Sequence, residues 1–146
     1  MNTKFRYLYR DGSNNKNGGE VIFGGTPASL DEASDTLESL FDESEYFIAA
    51  QIGIPEIFLW NPDVEYDPDD ASTYPANMGP GNYCIAEGVD HCWHEFDCLE
   101  STEVPPTDPR TIQQFIEDVR KAAAEGWKEF DPGSRKTATS QNGANV

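Results

Sequence analysis

The sequence predicts an α+β fold: an antiparallel sheet of four or five strands with two helices packed on one face. Three observations carry this expectation. Apolar and charged residues alternate at period two near the N-terminus and again around residue 95, the pattern of half-buried strands. Two other stretches repeat their apolar residues every three to four positions, the pattern of amphipathic helices. The elements follow the order strand, strand, helix, two or three strands, helix, which suits a sheet with one covered and one wet face.

Lys4 to Arg10 reads as the first strand, with Phe5, Tyr7 and Tyr9 on one side. Asp11 to Gly19 is a turn-rich loop, and Glu20 to Phe23 returns as the second arm of a hairpin. A helix from Leu30 to Phe41 follows, capped by Ser29, with Leu30, Ala33, Leu37, Leu40 and Phe41 as its buried stripe and Asp31 and Glu32 in its first turn. Tyr46 to Ile52 and Glu56 to Trp60 read as two short strands around Gly53 and Pro55; the first has helix as its alternative. Asn61 to Val89 is a long acidic loop, rich in Pro, Gly, Asp and Tyr and without periodicity. His91 to Leu99 reads as a strand whose inner face carries Cys92, His94, Phe96 and Cys98. Thr107 or Asp108 caps the second helix, with Pro109 in its first position, Ile112, Phe115, Ile116, Val119 and Ala123 facing inward, and Gly126 ending it. Residues 1–130 thus form a single domain, and 131–146, without an apolar cluster, a disordered tail.

The chain has 146 residues, 27 acidic against 10 basic, for a net charge of −17 and a sequence pI of about 4.2. An apolar fraction of 37% still suffices to build a core at this length. Direct binding to nucleic acid or to an anionic membrane is excluded, since both need clustered Lys and Arg. The apolar run Phe47 to Trp60 is interrupted by Gln51, Gly53, Pro55 and Glu56, so no transmembrane segment is expected. With no signal peptide in the first residues and an odd number of cysteines, Cys84, Cys92 and Cys98, a cytoplasmic location is expected.

The charge is unevenly placed. Between Lys16 and Arg110 lie 93 residues with 21 acids and no base, while the two ends together are net positive by 4. Surfaces that are acidic only for solubility usually interleave Lys with Glu, because like charges at i,i+4 cost about 0.2–0.5 kcal/mol each.

Within that stretch Asp31, Asp35, Glu38 and Asp42 fall at i, i+4, i+7 and i+11, one ridge opposite the apolar stripe. A helical rise spaces their carboxylates by about 4.5–6 Å, close to the phosphate spacing of a nucleic-acid strand. Glu43 prolongs the ridge and Glu65, Asp67, Asp69 and Asp70 supply a second acidic cluster, with Trp60 and Tyr66 as aromatic anchors for Arg or Lys. Such a set fits a basic protein surface built for nucleic acid. The plainer reading is a solvated helix face, with the aromatics packing the loop.

Two other constellations are weaker. Asn61, Asp63, Glu65, Asp67 and Asp69 alternate like a calcium loop, yet Tyr66 and Ser72 stand where that loop needs Gly and Glu. Cys84, His91, Cys92, His94 and Cys98 are zinc-ligand types without a Cys-x2-Cys pair, and they suit core positions better. No nucleophile elbow, phosphate loop or cofactor motif is present, so neither an enzyme nor a cofactor is expected.

The segments YLYRDGSNNKNGGEVIF (Tyr7 to Phe23) and HCWHEFDCLESTEVPPTD (His91 to Asp108), roughly a quarter of the chain, resemble small acidic proteins of bacteria and their mobile elements. In overall character the chain also resembles phage-encoded inhibitors of host defence that mimic nucleic acid. That resemblance implies an anti-CRISPR or anti-restriction role. The alternatives are an immunity protein or antitoxin covering a basic toxin nuclease, and a metal-dependent hydrolase using His91 and His94.

Overall fold

Alternation at the N-terminus forms β1 (Asn2–Arg10), in which Thr3, Phe5, Tyr7 and Tyr9 are all buried. The structure, a computed structural model, describes residues 1–61, 69–73, 79–86 and 88–134. The turn after β1 closes sooner than its composition predicts. The Asp11 carboxylate accepts hydrogen bonds from the backbone N–H groups of Ser13 and Asn15, both at 2.9 Å, and from the Asn15 side chain at 3.1 Å. With Asn14 left-handed at φ 68°, Asp11 to Asn15 completes the reversal. The glycines that follow are therefore extended, and β2 runs Lys16–Phe23.

The remaining strands are β3 (Tyr46–Phe47) and β4 (His94–Thr102), giving a four-stranded antiparallel sheet in the order β2-β1-β4-β3. With α1 (Leu30–Leu40) and α2 (Ile112–Glu125) it makes the expected α+β architecture. The chain divides into two compact units, one of residues 1–8, 18–56 and 93–128, the other of residues 9–17, 57–92 and 129–146.

Several boundaries differ from the sequence reading. Of the expected strand Tyr46 to Ile52 only Tyr46 and Phe47 pair in the sheet; Ile48 is still extended, and Ala49–Ile52 is a 3-10 turn ended by Gly53 at φ 71°. Ile48, Ala49 and Ile52 are all buried, a pattern that two-fold alternation cannot satisfy. Glu56 to Trp60 is not a strand either: Phe58, Leu59 and Trp60 are buried in succession, and only Trp60 makes a bridge, to Tyr83. In β4 the pairing skips from Arg6↔Cys98 to Tyr7↔Phe96, leaving Asp97 as the extra residue of a bulge. The bulge resets the alternation, so that Leu99 is buried and Cys98, expected inside, is half-buried.

α2 begins at Ile112 rather than Pro109. Its cap is Thr111, whose hydroxyl accepts from the Gln114 N–H while the Gln114 side chain accepts from the Thr111 N–H. Residues 107–111 are held along the end of β2 instead: Thr107 N–H bonds Ile22 O at 2.9 Å and Gly24 N–H bonds Arg110 O at 3.2 Å. Backbone groups engaged in that way cannot open a helix.

The core of the first unit is aromatic. Phe5 stacks on Phe96 at 5.2 Å and meets Phe115, Phe47 and Phe41 edge-on, while Phe23 stacks on Phe115 at 4.2 Å. In the second unit Tyr9, Phe58, Leu59 and Trp60 form a smaller cluster, flanked by Ile57, Ile85 and Phe130. Pro132 is buried within the segment expected to be a tail; residues 135–146 lie outside the described residues.

Candidate functional site

The acidic row is carried by α1. Ser29 caps the helix through its hydroxyl, which accepts from Glu32 N–H at 3.2 Å. Ala33 and Leu37 are buried beneath it, and the Trp127 indole N–H donates to Leu40 O at 3.1 Å, satisfying one of the carbonyls left open at the C-terminal end. On the opposite face Asp31, Asp35 and Glu38 are all exposed. Asp31 and Glu32 sit in the first turn, where the helix dipole favours them, but no base occupies the last turn near Glu38.

Asp42 is not on the helix, as its i+11 position implied. The helix ends at Leu40, and Asp42 opens a tight reversal in which its N–H and O pair with Tyr46 O and N–H, each at 2.8 Å. Glu43 and Ser44, at φ 50° and 63°, form the left-handed centre of this turn, closed by Glu45 N–H on Asp42 O at 3.1 Å. Asp42 and Glu43 are both exposed, so the acidic row continues past the helix on a turn.

Five of the described cations pair elsewhere. Lys4 meets Glu20 at 3.4 Å, Arg6 meets Glu100 at 3.4 Å, Arg110 meets Asp108 and Asp118 at 2.9 and 3.0 Å, Arg120 meets Glu117 at 3.3 Å and Lys128 meets Glu125 at 4.0 Å. Among the described residues no ion pair involves Asp31, Glu32, Asp35, Glu38, Asp42 or Glu43.

The second acidic cluster is described only at its end. Glu65, Tyr66 and Asp67 lie outside the described residues, as do Asp63 and most of the alternating loop. Asp69 and Asp70 are exposed. Ser72 donates to Asp70 through its hydroxyl at 2.7 Å and its N–H at 3.0 Å, which holds that carboxyl below its ordinary value. Trp60 is not an exposed anchor: it is only 3% exposed and stacks on Phe58 at 4.2 Å. Its indole is needed inside the second unit's cluster, which spacing alone does not reveal.

The zinc-type residues have structural surroundings. His94 is wholly buried, with Tyr7 and Phe47 ring centres at 6.0 Å, and the buried Cys92 accepts the Phe130 N–H on its sulfur at 3.3 Å. His91 Nε2 bonds Arg10 O at 2.6 Å. Burial, then the neighbouring Asp97 and Glu100, pushes the Cys98 thiol up, away from the thiolate that metal binding needs. Among the described residues no three of His, Cys, Asp and Glu gather where they could hold a metal ion.

One acidic pair escaped the sequence reading. Asp11 and Asp90 line a cleft in the second unit together with Tyr83. Asp11 was legible as a turn former, but nothing in the sequence signals that its loop meets Gly88 and Val89. Among the described residues no helix is long and apolar enough to cross a membrane. No protein-family model, curated protein or solved structure matches this chain.

Proposed function

We propose that this chain is a non-enzymatic acidic binding protein that blocks a basic nucleic-acid-binding surface, as a nucleic-acid mimic directed at a CRISPR or restriction complex. The observation that supports this most is the row Asp31, Asp35 and Glu38, continued by Asp42 and Glu43, exposed and without an ion-pair partner among the described residues. A helix fixed from below by Leu37 presents these charges at little further entropic cost, which favours fast, steered association with a basic groove. The repulsion within the row is relieved when Lys and Arg side chains of a partner come between the carboxylates.

The test is competition. DNA binding by a panel of bacterial CRISPR effector complexes and restriction endonucleases is measured with and without the protein, at about 0.05 and 0.5 M salt. Loss of DNA binding by at least one complex at low salt is expected, and the protein's own affinity for that complex, measured directly, falls steeply at high salt. No effect on any complex, or an affinity for the inhibited complex that is indifferent to salt, contradicts the proposal.

A further inference from the structure

We propose that the cleft of the second unit receives an arginine side chain of the basic partner. This deepens the reading above and rests on it for the source of the arginine. The cleft, of about 240 Å³, is walled by Leu59, Tyr83, Ala86 and Val89, with Asp11 and Asp90 supplying charge. Its two loops are stitched together where Gly12 N–H donates to Val89 O at 2.8 Å. A side chain at Gly12 would put its first carbon 3.2 Å from that oxygen, so the approach is one that glycine makes easy.

Both carboxylates are held by neutral donors. Asp11 is fixed by the N–H groups of Ser13 and Asn15 and by the Asn15 side chain. Asp90 accepts the Tyr9 hydroxyl on one oxygen and Ala86 N–H on the other, each at 2.8 Å. Neither enters an ion pair among the described residues. Their charge is therefore oriented but not neutralised, and each carboxylate keeps lone pairs for a further donor. An anion is repelled here, and a wholly apolar ligand would desolvate two carboxylates without compensation. A cation with an apolar stem satisfies both walls and charges. Tyr83, 40% exposed, is part of the lining, and an aromatic ring there favours a flat guanidinium, which is weakly hydrated and stacks better than an ammonium.

The probe is N-acetyl-arginine amide, titrated into the isotope-labelled full chain and followed by amide shifts in NMR, with the citrulline and lysine amides as comparators. Saturable shifts at residues 12–15, 83–86 and 88–90 are expected with arginine, about tenfold weaker with neutral citrulline. Tyr83→Ala, whose spectrum reports whether the fold is kept, weakens arginine by about two- to fivefold. Reversing Asp31, Asp35 and Glu38 to Lys leaves this binding in place. Equal binding of citrulline or lysine, shifts confined to α1, or indifference to Tyr83→Ala overturns the proposal. Arginine binding without inhibition of any defence complex keeps the cleft and removes the mimic reading; inhibition without arginine binding does the reverse.

Discussion

Arg110 spends all five of its N–H donors inside the protein. Nε and Nη2 bond the two Asp108 oxygens at 3.0 and 2.9 Å, Nη1 bonds Asp118 and Ile52 O, and Nη2 also bonds Gly53 O. Its guanidinium lies over the Phe23 and Phe115 rings at 5.4 and 5.2 Å. Lysine has three donors on one atom and cannot reproduce this fork, so Arg110→Lys should cost about 2–4 kcal/mol in denaturant unfolding. Hydrogen bonding to Arg110 holds the Asp108 carboxyl below its ordinary value, against a smaller opposing effect of burial. A depressed carboxyl adds stability above its unfolded value of 3.8 and loses it as pH falls from there through the lower folded value. Asp108→Asn should flatten that part of the acid-unfolding profile. The opposite effect is expected at Glu43 and Ser44, where two side chains occupy left-handed backbone. Replacing them with Asn and Gly, which suit that turn, should raise stability by about 1–2 kcal/mol in thermal or denaturant unfolding.

At the scale of elements, caps and periodicity decide most of what forms. Thr111→Ala removes one half of the capping box of α2 and should lower stability by about 1 kcal/mol, read from the urea midpoint, with little change in slope. The same physics explains which elements were legible. α1 is readable because Ser29, the acidic first turn and a stripe through Ala33 and Leu37 agree. The start of α2 was not, because Thr107, Asp108 and Pro109 have the composition of a helix entrance while their backbone belongs to the edge of β2. The β4 bulge at Asp97 is set by pairing with β1, a non-local constraint that no local pattern encodes. The acidic row was readable from its spacing as far as Glu38; its continuation through Asp42 and Glu43 depends on a turn that helical geometry did not anticipate. Trp60 was misplaced because an aromatic beside acidic residues has the same local sequence whether it faces solvent or fills a cluster.

Over the whole molecule, the −17 net charge is the sum of regions with different character. Among the described residues five of the bases near the ends are occupied: Lys4, Arg6, Arg110, Arg120 and Lys128 each meet a carboxylate. The acids of α1 and the turn after it have no such neighbours among the described residues. An arrangement that repels itself when alone gains most when a basic surface covers it, which is the physical content of the proposed mimicry. The most direct measurement is DNA cleavage by a susceptible CRISPR or restriction complex in the presence of wild-type protein or of the triple variant Asp31→Lys, Asp35→Lys, Glu38→Lys, with circular dichroism confirming that the variant is folded. Wild type is expected to suppress cleavage, with the folded variant weaker by about tenfold or more. Equal suppression by the two would contradict the proposed mimicry.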